Sequence, residues 1–493
     1  MKRSSYIKNR TTWIAEVRKV SPYLMLYTLA ISIMFLCATI IMSTSCSGGS
    51  SVDSVSNDEK ASAGPLQVSS NNPRYFTDGS GKAIYLTGSH NWNNLVEEPA
   101  IDPNDTFNYP GYLNFLNDHN HNFIRLWSNQ LPQFLDQGKL KVTNAQFPWP
   151  RLGPGTALDG KPKFDLAKFD QSYFDRLRSR VIAARDKGIY ASIMFFEGWC
   201  LAGQEAGANR ECWTWHPFNT ANNINGVDAD ANGDGKGYEF YSQSISAAVK
   251  DIQKAYIRKI VDTVNDLDNV LYEIANEAAP GSVSWQYEMV NYVKSYESTK
   301  AKRHPVGMTY PYRHSDNGDL FSSPADWISP GYFPAEDYRG NPPPSDGRKV
   351  IILDTDHLWG VGGDRAWVWK SFVRGLNPVS MDPLDADATQ EDTRKAMGHT
   401  LSYAKRVNLK EMLPSNDLSS TTFCLANPGS EYLIYQPEYN KPFTVNLSAG
   451  RYNFEWFNPV AGKIILTGSF TANDGNRSFY PPISGDSILY LFK

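Results

Sequence analysis

Cysteine is scarce in this chain, five among 493 residues, and no set of them stands at a zinc-type spacing. No H-E-x-x-H stretch is present to build a metalloprotease helix. No G-x-S-x-G elbow appears where a strand meets a helix, which disfavours a serine hydrolase. A Gly-rich phosphate-binding loop is missing after the first candidate strand, which argues against a nucleotide enzyme. An excess of positive charge is missing too. The formal net charge is −4, and the first 45 residues carry six basic side chains against Glu16, so the remainder is more acidic still. That balance argues against nucleic acid or an anionic membrane surface as partner.

What the chain has in plenty is aromatic side chains: 13 Trp, 27 Tyr and 24 Phe. Such rings stack on sugars, but they also fill ordinary cores, so composition alone lifts carbohydrate binding only slightly. The length predicts two or three domains.

Residues 1–46 read as an export segment. Lys2, Arg3, Lys8, Arg10, Arg18 and Lys19 precede an apolar run from Tyr23 to Met42, followed by Ser43-Thr44-Ser45-Cys46. Small residues before Cys46 and a Ser/Gly-rich tether after it look like a bacterial lipoprotein signal, with Cys46 lipidated. The run is also long enough for an uncleaved membrane anchor. Both readings export the protein, to the cell surface or periplasm. In an oxidising compartment Cys200 and Cys212 are read as a disulfide or as two buried thiols, and Cys424 as core.

Residues 47–65 read as a linker. From Leu66, short apolar strands alternate with helical stretches, the mark of βαβ units on a parallel sheet. Candidate strands are Ile84–Thr87, Phe123–Trp127, Tyr190–Phe195, Val270–Ala275, Pro305–Thr309, Trp327–Ser329, Val350–Leu353 and Pro378–Met381. Eight is the number a closed (β/α)₈ TIM barrel needs. The clearest helix is 244–265, where Ile252, Tyr256, Ile260 and Val264 recur at helical spacing. A hairpin over 66–82 is expected to close the bottom of the barrel. Beyond Pro414 short alternating strands split by Gly, Pro and Asn predict an all-β sandwich over 415–493, packed against a barrel over 66–414.

In a barrel of this kind function sits beyond the C-terminal ends of the strands. Alternation along Tyr272-Glu273-Ile274-Ala275-Asn276-Glu277 puts Glu273, Ala275 and Glu277 on one side, with Glu277 at the mouth. Glycoside hydrolysis needs a protonated carboxyl to donate to the leaving oxygen, and Asn276 could donate to a sugar 2-hydroxyl. A capping Asn-Glu at a strand–helix junction would look the same. The opposing acid is sought in Leu353-Asp354-Thr355-Asp356-His357. Glu277 and Asp354 are 77 residues apart, three βα units at roughly 25–30 residues each, which places the two on strands four and seven. Asp354 ends the apolar run directly and is the first choice of nucleophile; Asp356 has the same facing and is its rival.

These residues carry a resemblance. Ala275-Asn276-Glu277 after strand four, Arg125 closing Asn122-Phe123-Ile124-Arg125, and an acid after strand seven resemble the large clan of retaining (β/α)₈ glycoside hydrolases. The run Asp354-Thr355-Asp356-His357-Leu358-Trp359-Gly360 and the terminal sandwich are most similar to its apiosidase-like group, whose members often end in a module labelled collagen-binding. The resemblance spans about 66–493. It implies Glu277 as acid/base, Asn276 as its sugar-binding neighbour and Arg125 as organiser of the nucleophile. One departure is that most of the clan uses Glu as nucleophile, where this chain offers Asp.

Further polar and aromatic residues fall at strand ends: His90 and Trp92, Trp127, Glu197 and Trp199, Tyr310 and Tyr312, His357 and Trp359. Together they suit a sugar cleft, though each would serve equally as packing. Glu273 is expected inside the barrel, paired near Arg125. A separate run, Asp228, Asp230, Asn232, Asp234 and Glu239, fits the spacing of a calcium loop, so a structural Ca²⁺ is a candidate beside a plain Asp/Gly loop; the chemistry itself calls for no cofactor. Two functions are weighed: an exported retaining glycosidase acting on plant or host glycans, and a degenerate barrel that binds carbohydrate or serves as a surface adhesin. The presence of both acids favours the enzyme.

Overall fold

Eight apolar segments come together as parallel strands in a nearly closed barrel in the computed structural model, which describes residues 63–96, 107–143, 146–205, 207–312 and 316–493. The export segment with Cys46, and the linker as far as residue 62, lie outside the described residues. The strands are β1 (Gly88–His90), β2 (Phe123–Leu126), β3 (Tyr190–Glu197), β4 (Val270–Asn276), β5 (Val306–Thr309), β6 (Trp327–Ser329), β7 (Val350–Asp354) and β8 (Asn377–Met381). From β2 to β8 each pairs with the next in sequence, and β8 pairs with β1. Only the β1–β2 seam lacks a ladder. At that seam the Asn122 side chain accepts from the Thr87 amide at 2.9 Å and His121 Nδ1 from the Ser89 amide at 3.2 Å, and on the β8 side the Asn377 side chain accepts from the Leu86 amide at 3.0 Å. Side chains thus satisfy the backbone of the segment expected to be strand one, and the ladder with β8 begins later, at Gly88.

Helices α1 (Tyr109–Asp118), α2 (Gln171–Arg185), α3 (Ala247–Val264), α4 (Val283–Glu297), α5 (Gly318–Ser322), α6 (Arg365–Val373) and α7 (Ala388–Arg406) cross between strands. The α3 helix starts where the Ser246 hydroxyl caps the Val249 amide, and it buries Tyr256, Ile260 and Val264 as their spacing predicts. No helix forms between β6 and β7, where Pro330, Pro334 and Pro342-Pro343-Pro344 each remove a backbone donor. Among the described residues no helix is long and apolar enough to cross a membrane.

Inward-facing positions follow the two-residue period of the strands. Leu86, Phe123, Leu271, Trp327, Ile352 and Val379 fill the lower barrel, and Leu66 and Phe76 of the preceding hairpin join them from below. Gly307 opposite Trp327 leaves room for the indole, since a β-carbon there would lie 1.9 Å from the ring. One period further up, the same columns present Arg125, Glu273 and Asp354. An apolar floor therefore carries a charged layer.

The C-terminal region is antiparallel. A six-stranded sheet runs in the order β9 (Leu413–Pro414), β10 (Cys424–Asn427), β11 (Glu431–Gln436), β16 (Ser487–Phe492), β13 (Gly450–Asn458), β14 (Lys463–Ala472). It faces a two-stranded sheet of β12 (Phe443–Leu447) and β15 (Gly475–Phe479), with Cys424, Tyr452 and Trp456 in the core between them. The other face of the large sheet packs on the barrel: Tyr435 stacks on Trp369 at 6.3 Å, and Phe457 lies 6.0 Å from the same indole. Trp456 and Phe457 are both core, on opposite faces. The β15 strand is absent from the sequence reading because Gly475-Asn476-Arg477-Ser478 carries no apolar alternation.

Cys200 and Cys212 form a disulfide across twelve residues, tying a short helix after β3 (Trp199–Glu205) to the following loop. A loop of this size constrains the unfolded chain by about 3 kcal/mol. The paired Cys200→Ser, Cys212→Ser variant is therefore expected to melt lower than the parent, with the difference vanishing when both are scanned in reductant.

Candidate active site

The last residues of β4 set the site. Asn276 pairs in register with Glu197 of β3, and the chain then leaves the strand at Glu277 with φ of 43°, a left-handed conformation costing about 1–2 kcal/mol for a residue with a side chain. Neighbours hold that turn. The Gly198 amide donates to the Asn276 carbonyl at 2.8 Å and the Tyr312 amide to the Ala278 carbonyl at 3.0 Å. A β-carbon on Gly198 would lie 2.5 Å from the Ala278 α-carbon, so only glycine allows this approach.

Arg125, at the inward face of β2, is the hub beneath. Its Nε and Nη2 donate to the two oxygens of Glu273 at 2.9 and 2.5 Å, the fork-on-fork geometry of a bidentate pair. Nη2 also donates to Asn276 Oδ1 at 2.6 Å, and Nη1 to Asp354 at 2.9 Å and Asp356 at 3.0 Å. Glu273 is thus the buried, Arg-paired acid its position predicts. Asn276 is locked with Oδ1 on Arg125 and His357, leaving Nδ2 turned toward Glu197 at 3.4 Å. His357 donates from Nε2 to Asn276 at 3.1 Å and accepts at Nδ1 from Ser329 at 2.7 Å; burial, then Arg125, pushes its pKa down to about 3, so it stays neutral.

The two aspartates of β7 separate here. Asp354 is fully buried and every direction around it is taken: His90 Nε2 lies 2.9 and 2.8 Å from its oxygens, Arg125 donates to it, and so does the Asp356 amide at 2.9 Å. Trp127 Nε1 donates to His90 Nδ1 at 3.0 Å, which fixes the ring proton on Nε2, facing Asp354. Burial alone would raise the Asp354 pKa, but His90 and Arg125 hold it below the usual carboxylate range. Asp356 stands one turn on, in the 3₁₀ segment Thr355–His357, and lines the cleft. Burial and the charge of Asp354 raise its pKa to about 6 in spite of Arg125. Glu277 is raised well above the usual range, by burial first and then by the charges of Asp356 and Glu197. Burial also lifts Glu197, to about 7.

Above these acids lies a cleft of about 620 Å³. Of the residues singled out in the sequence, Trp92, Trp127, Glu197, Trp199, Asn276, Glu277, Tyr310, Tyr312, Asp356, His357 and Trp359 line it, whereas His90, Arg125 and Asp354 lie behind its wall. Gly331 makes space for Tyr310, since a β-carbon there would meet the phenol ring at 2.1 Å. Sequence reasoning missed Tyr332 and Arg339 in the β6–β7 loop, and Phe134 and Lys141 on a hairpin between β2 and α2. Tyr332 had a signal, an aromatic three residues beyond a strand end; Arg339 had none.

The Asp228–Glu239 run does not converge on one point, and among the described residues no group of three or more His, Cys, Asp or Glu is arranged to hold a metal ion. Its side chains instead accept from local amides: Asp228 from Asp230 at 3.0 Å, Asn232 from Asp234 at 2.8 Å, Asp230 from Gly235 at 2.8 Å. A cation would have to compete with these turns for the oxygens of Asp228, Asp230 and Asn232, whereas Glu239 Oε2 is buried without a partner. Adding Ca²⁺ to chelator-treated protein is expected to leave the melting temperature unchanged if the run is a plain Asp/Gly loop; an upward shift would establish a calcium site.

A family model described as a domain of unknown function, DUF6298, matches residues 142–314. No curated protein matches the chain. Among solved structures, one described as a glycoside hydrolase is similar at 13% identity with a TM-score of 0.55, over 87% of this chain and 97% of that one. A family 5 glycoside hydrolase from Bacteroides vulgatus is similar at 14% identity with a TM-score of 0.55, over 87% of this chain and 94% of that one. At such identity the likeness is one of fold, a parallel eight-stranded barrel followed by antiparallel sheets, and function has to be argued from the site.

Proposed function

We propose that this chain is a retaining glycoside hydrolase in which Glu277 is the acid/base and Asp356 the opposing carboxylate. The observation that carries the reading is that Glu277 and Asp356 share one aromatic-lined cleft, both with pKa values raised above the usual carboxylate range, Glu277 by burial and by the charges of Asp356 and Glu197. Asp356 attacks the anomeric carbon as Glu277 gives its proton to the departing oxygen. Water then enters, Glu277 takes its proton, and the Asp356–sugar bond breaks. Asn276 Nδ2 is free of Arg125 and suited to a sugar hydroxyl. Arg125 and Asp354 position Asp356, Arg125 through its guanidinium and Asp354 by accepting the Asp356 amide. The N-terminal pattern and the disulfide fit a protein that works outside the cytoplasm, lipidated at Cys46, on plant or host glycans.

A panel of aryl glycosides and polysaccharides tests the reading, with proton NMR of the first-formed anomer to test retention. On whichever substrate is cut, kcat/KM is expected to rise with pH as Asp356 ionises near pH 6, and to fall again where Glu277 loses its proton. A flat profile between pH 4 and 9 would sink the pairing. Glycans that bind yet are never cut would point to a carbohydrate-binding barrel instead.

A further inference from the structure

The arginines near the cleft differ in how their charge is met. Arg125 is surrounded by Glu273, Asp354 and Asp356, and Arg210, stacked on Trp199 at 3.5 Å, is paired with Asp136 at 3.1 Å. Arg339 lines the cleft, and among the described residues no carboxylate pairs with it. Its guanidinium lies 3.9 Å from the Tyr332 ring centroid and 5.7 Å from that of Trp359, and Nη2 donates to the Leu358 carbonyl. Its Nε is buried without an acceptor, and Nη1 has none among the described residues.

The loop around Arg339 is pinned on both sides. Tyr338 is buried and its carbonyl accepts from Trp367 Nε1 at 3.1 Å, while the Asp337 side chain caps the Gly340 amide at 2.8 Å. Arg339 is therefore a planar cation held in place, over the Tyr332 ring and beside half-exposed Trp359, with Nη1 unspent. Lys141, the other cation on the cleft lining, is also without a carboxylate partner among the described residues. A neutral sugar needs neither charge. An unpaired guanidinium beside stacking faces matches a sugar ring bearing a planar carboxylate, which accepts two parallel N–H bonds.

We infer that Arg339 marks a subsite for the carboxylate of a uronic acid, so that the glycans taken by this cleft are acidic; the inference rests on the glycosidase reading for its catalytic meaning but not for its test. The experiment is calorimetric binding of glucuronate- and galacturonate-containing oligosaccharides and of their methyl esters, which keep the ring and lose the charge. The free acids are expected to bind about tenfold or more tightly than the esters. Arg339→Gln should erase that preference while leaving ester binding and melting temperature unchanged, and Arg339→Lys should keep part of it. Equal binding of acid and ester, a preference that survives Arg339→Gln, or stronger retention of matched sulfated sugars would overturn the uronate subsite. Hydrolysis run in parallel separates the two readings. Neutral glycosides cut without preference would leave the glycosidase standing and remove the subsite. Uronates bound through Arg339 but never cut would do the reverse.

Discussion

Glu277→Gln is expected to lower kcat on unactivated glycosides by about 10²–10⁴-fold, the usual worth of a positioned proton donor, and to lower it far less on aryl glycosides whose leaving group needs no proton. The same variant should be more stable than the parent at neutral pH. Glu277 is a buried carboxyl whose folded-state pKa lies well above its unfolded value, because burial and the charges of Asp356 and Glu197 oppose its ionisation. A carboxyl raised in this way disfavours the folded state once the pH exceeds the unfolded pKa, and the penalty grows until the folded pKa is passed. The stability gained by glutamine should therefore be absent near pH 4 and widen toward pH 8, read as the difference between two melting curves. Loss of activity with loss of stability at all pH values would mean that Glu277 is a structural group.

This conflict between fold and site explains which parts could be read from sequence. The barrel strands are legible because each is a short apolar run closed by turn residues, and seven of the eight lie within two residues of where the sequence puts them. The first is displaced because Asn122 and Asn377 serve its backbone with side-chain amides, a long-range substitution that no local pattern announces. The charged layer is legible as well. Strand alternation carries Phe123 to Arg125 and Ile352 to Asp354, from apolar floor to polar mouth. Alternation cannot separate Asp354 from Asp356, which share a facing. What separates them is the exit from β7: Asp354 caps the 3₁₀ turn that lifts Asp356 into the cleft. An Asp-x-Asp at a strand end carries that cap as a local signature. The same chemistry explains the calcium spacing, since Asp and Asn at alternate positions suit turns that cap their own amides as well as they suit a cation. Arg339 belongs to a long proline-rich loop, and its place beside Trp359 depends on contacts between two loops.

Asp354→Asn and Asp356→Asn should fail in opposite ways. Asp354 is buried among Arg125, His90 and the Asp356 amide, and removing its charge leaves Arg125 and the His90 Nε2–H short of their acceptor. Breaking a buried pair of this kind costs about 3–5 kcal/mol, so Asp354→Asn should melt well below the parent. Its pKa is depressed in the fold, so the stability it contributes is present above the unfolded carboxylate pKa and is lost as pH falls through the folded value. The gap between parent and Asp354→Asn should accordingly close only in strong acid. Asp356 sits at the cleft with its pKa raised to about 6, so Asp356→Asn should be neutral or slightly stabilising at pH 7 while abolishing turnover. Azide provides the sharper contrast. In Asp356→Gly it can occupy the space of the missing carboxylate, attack the anomeric carbon of an activated aryl glycoside and restore its cleavage as a glycosyl azide of inverted configuration. In Asp354→Gly no such opening reaches the cleft, and azide should do nothing. Rescue of Asp354→Gly alone would move the nucleophile to Asp354 and reduce Asp356 to a gatepost of the cleft.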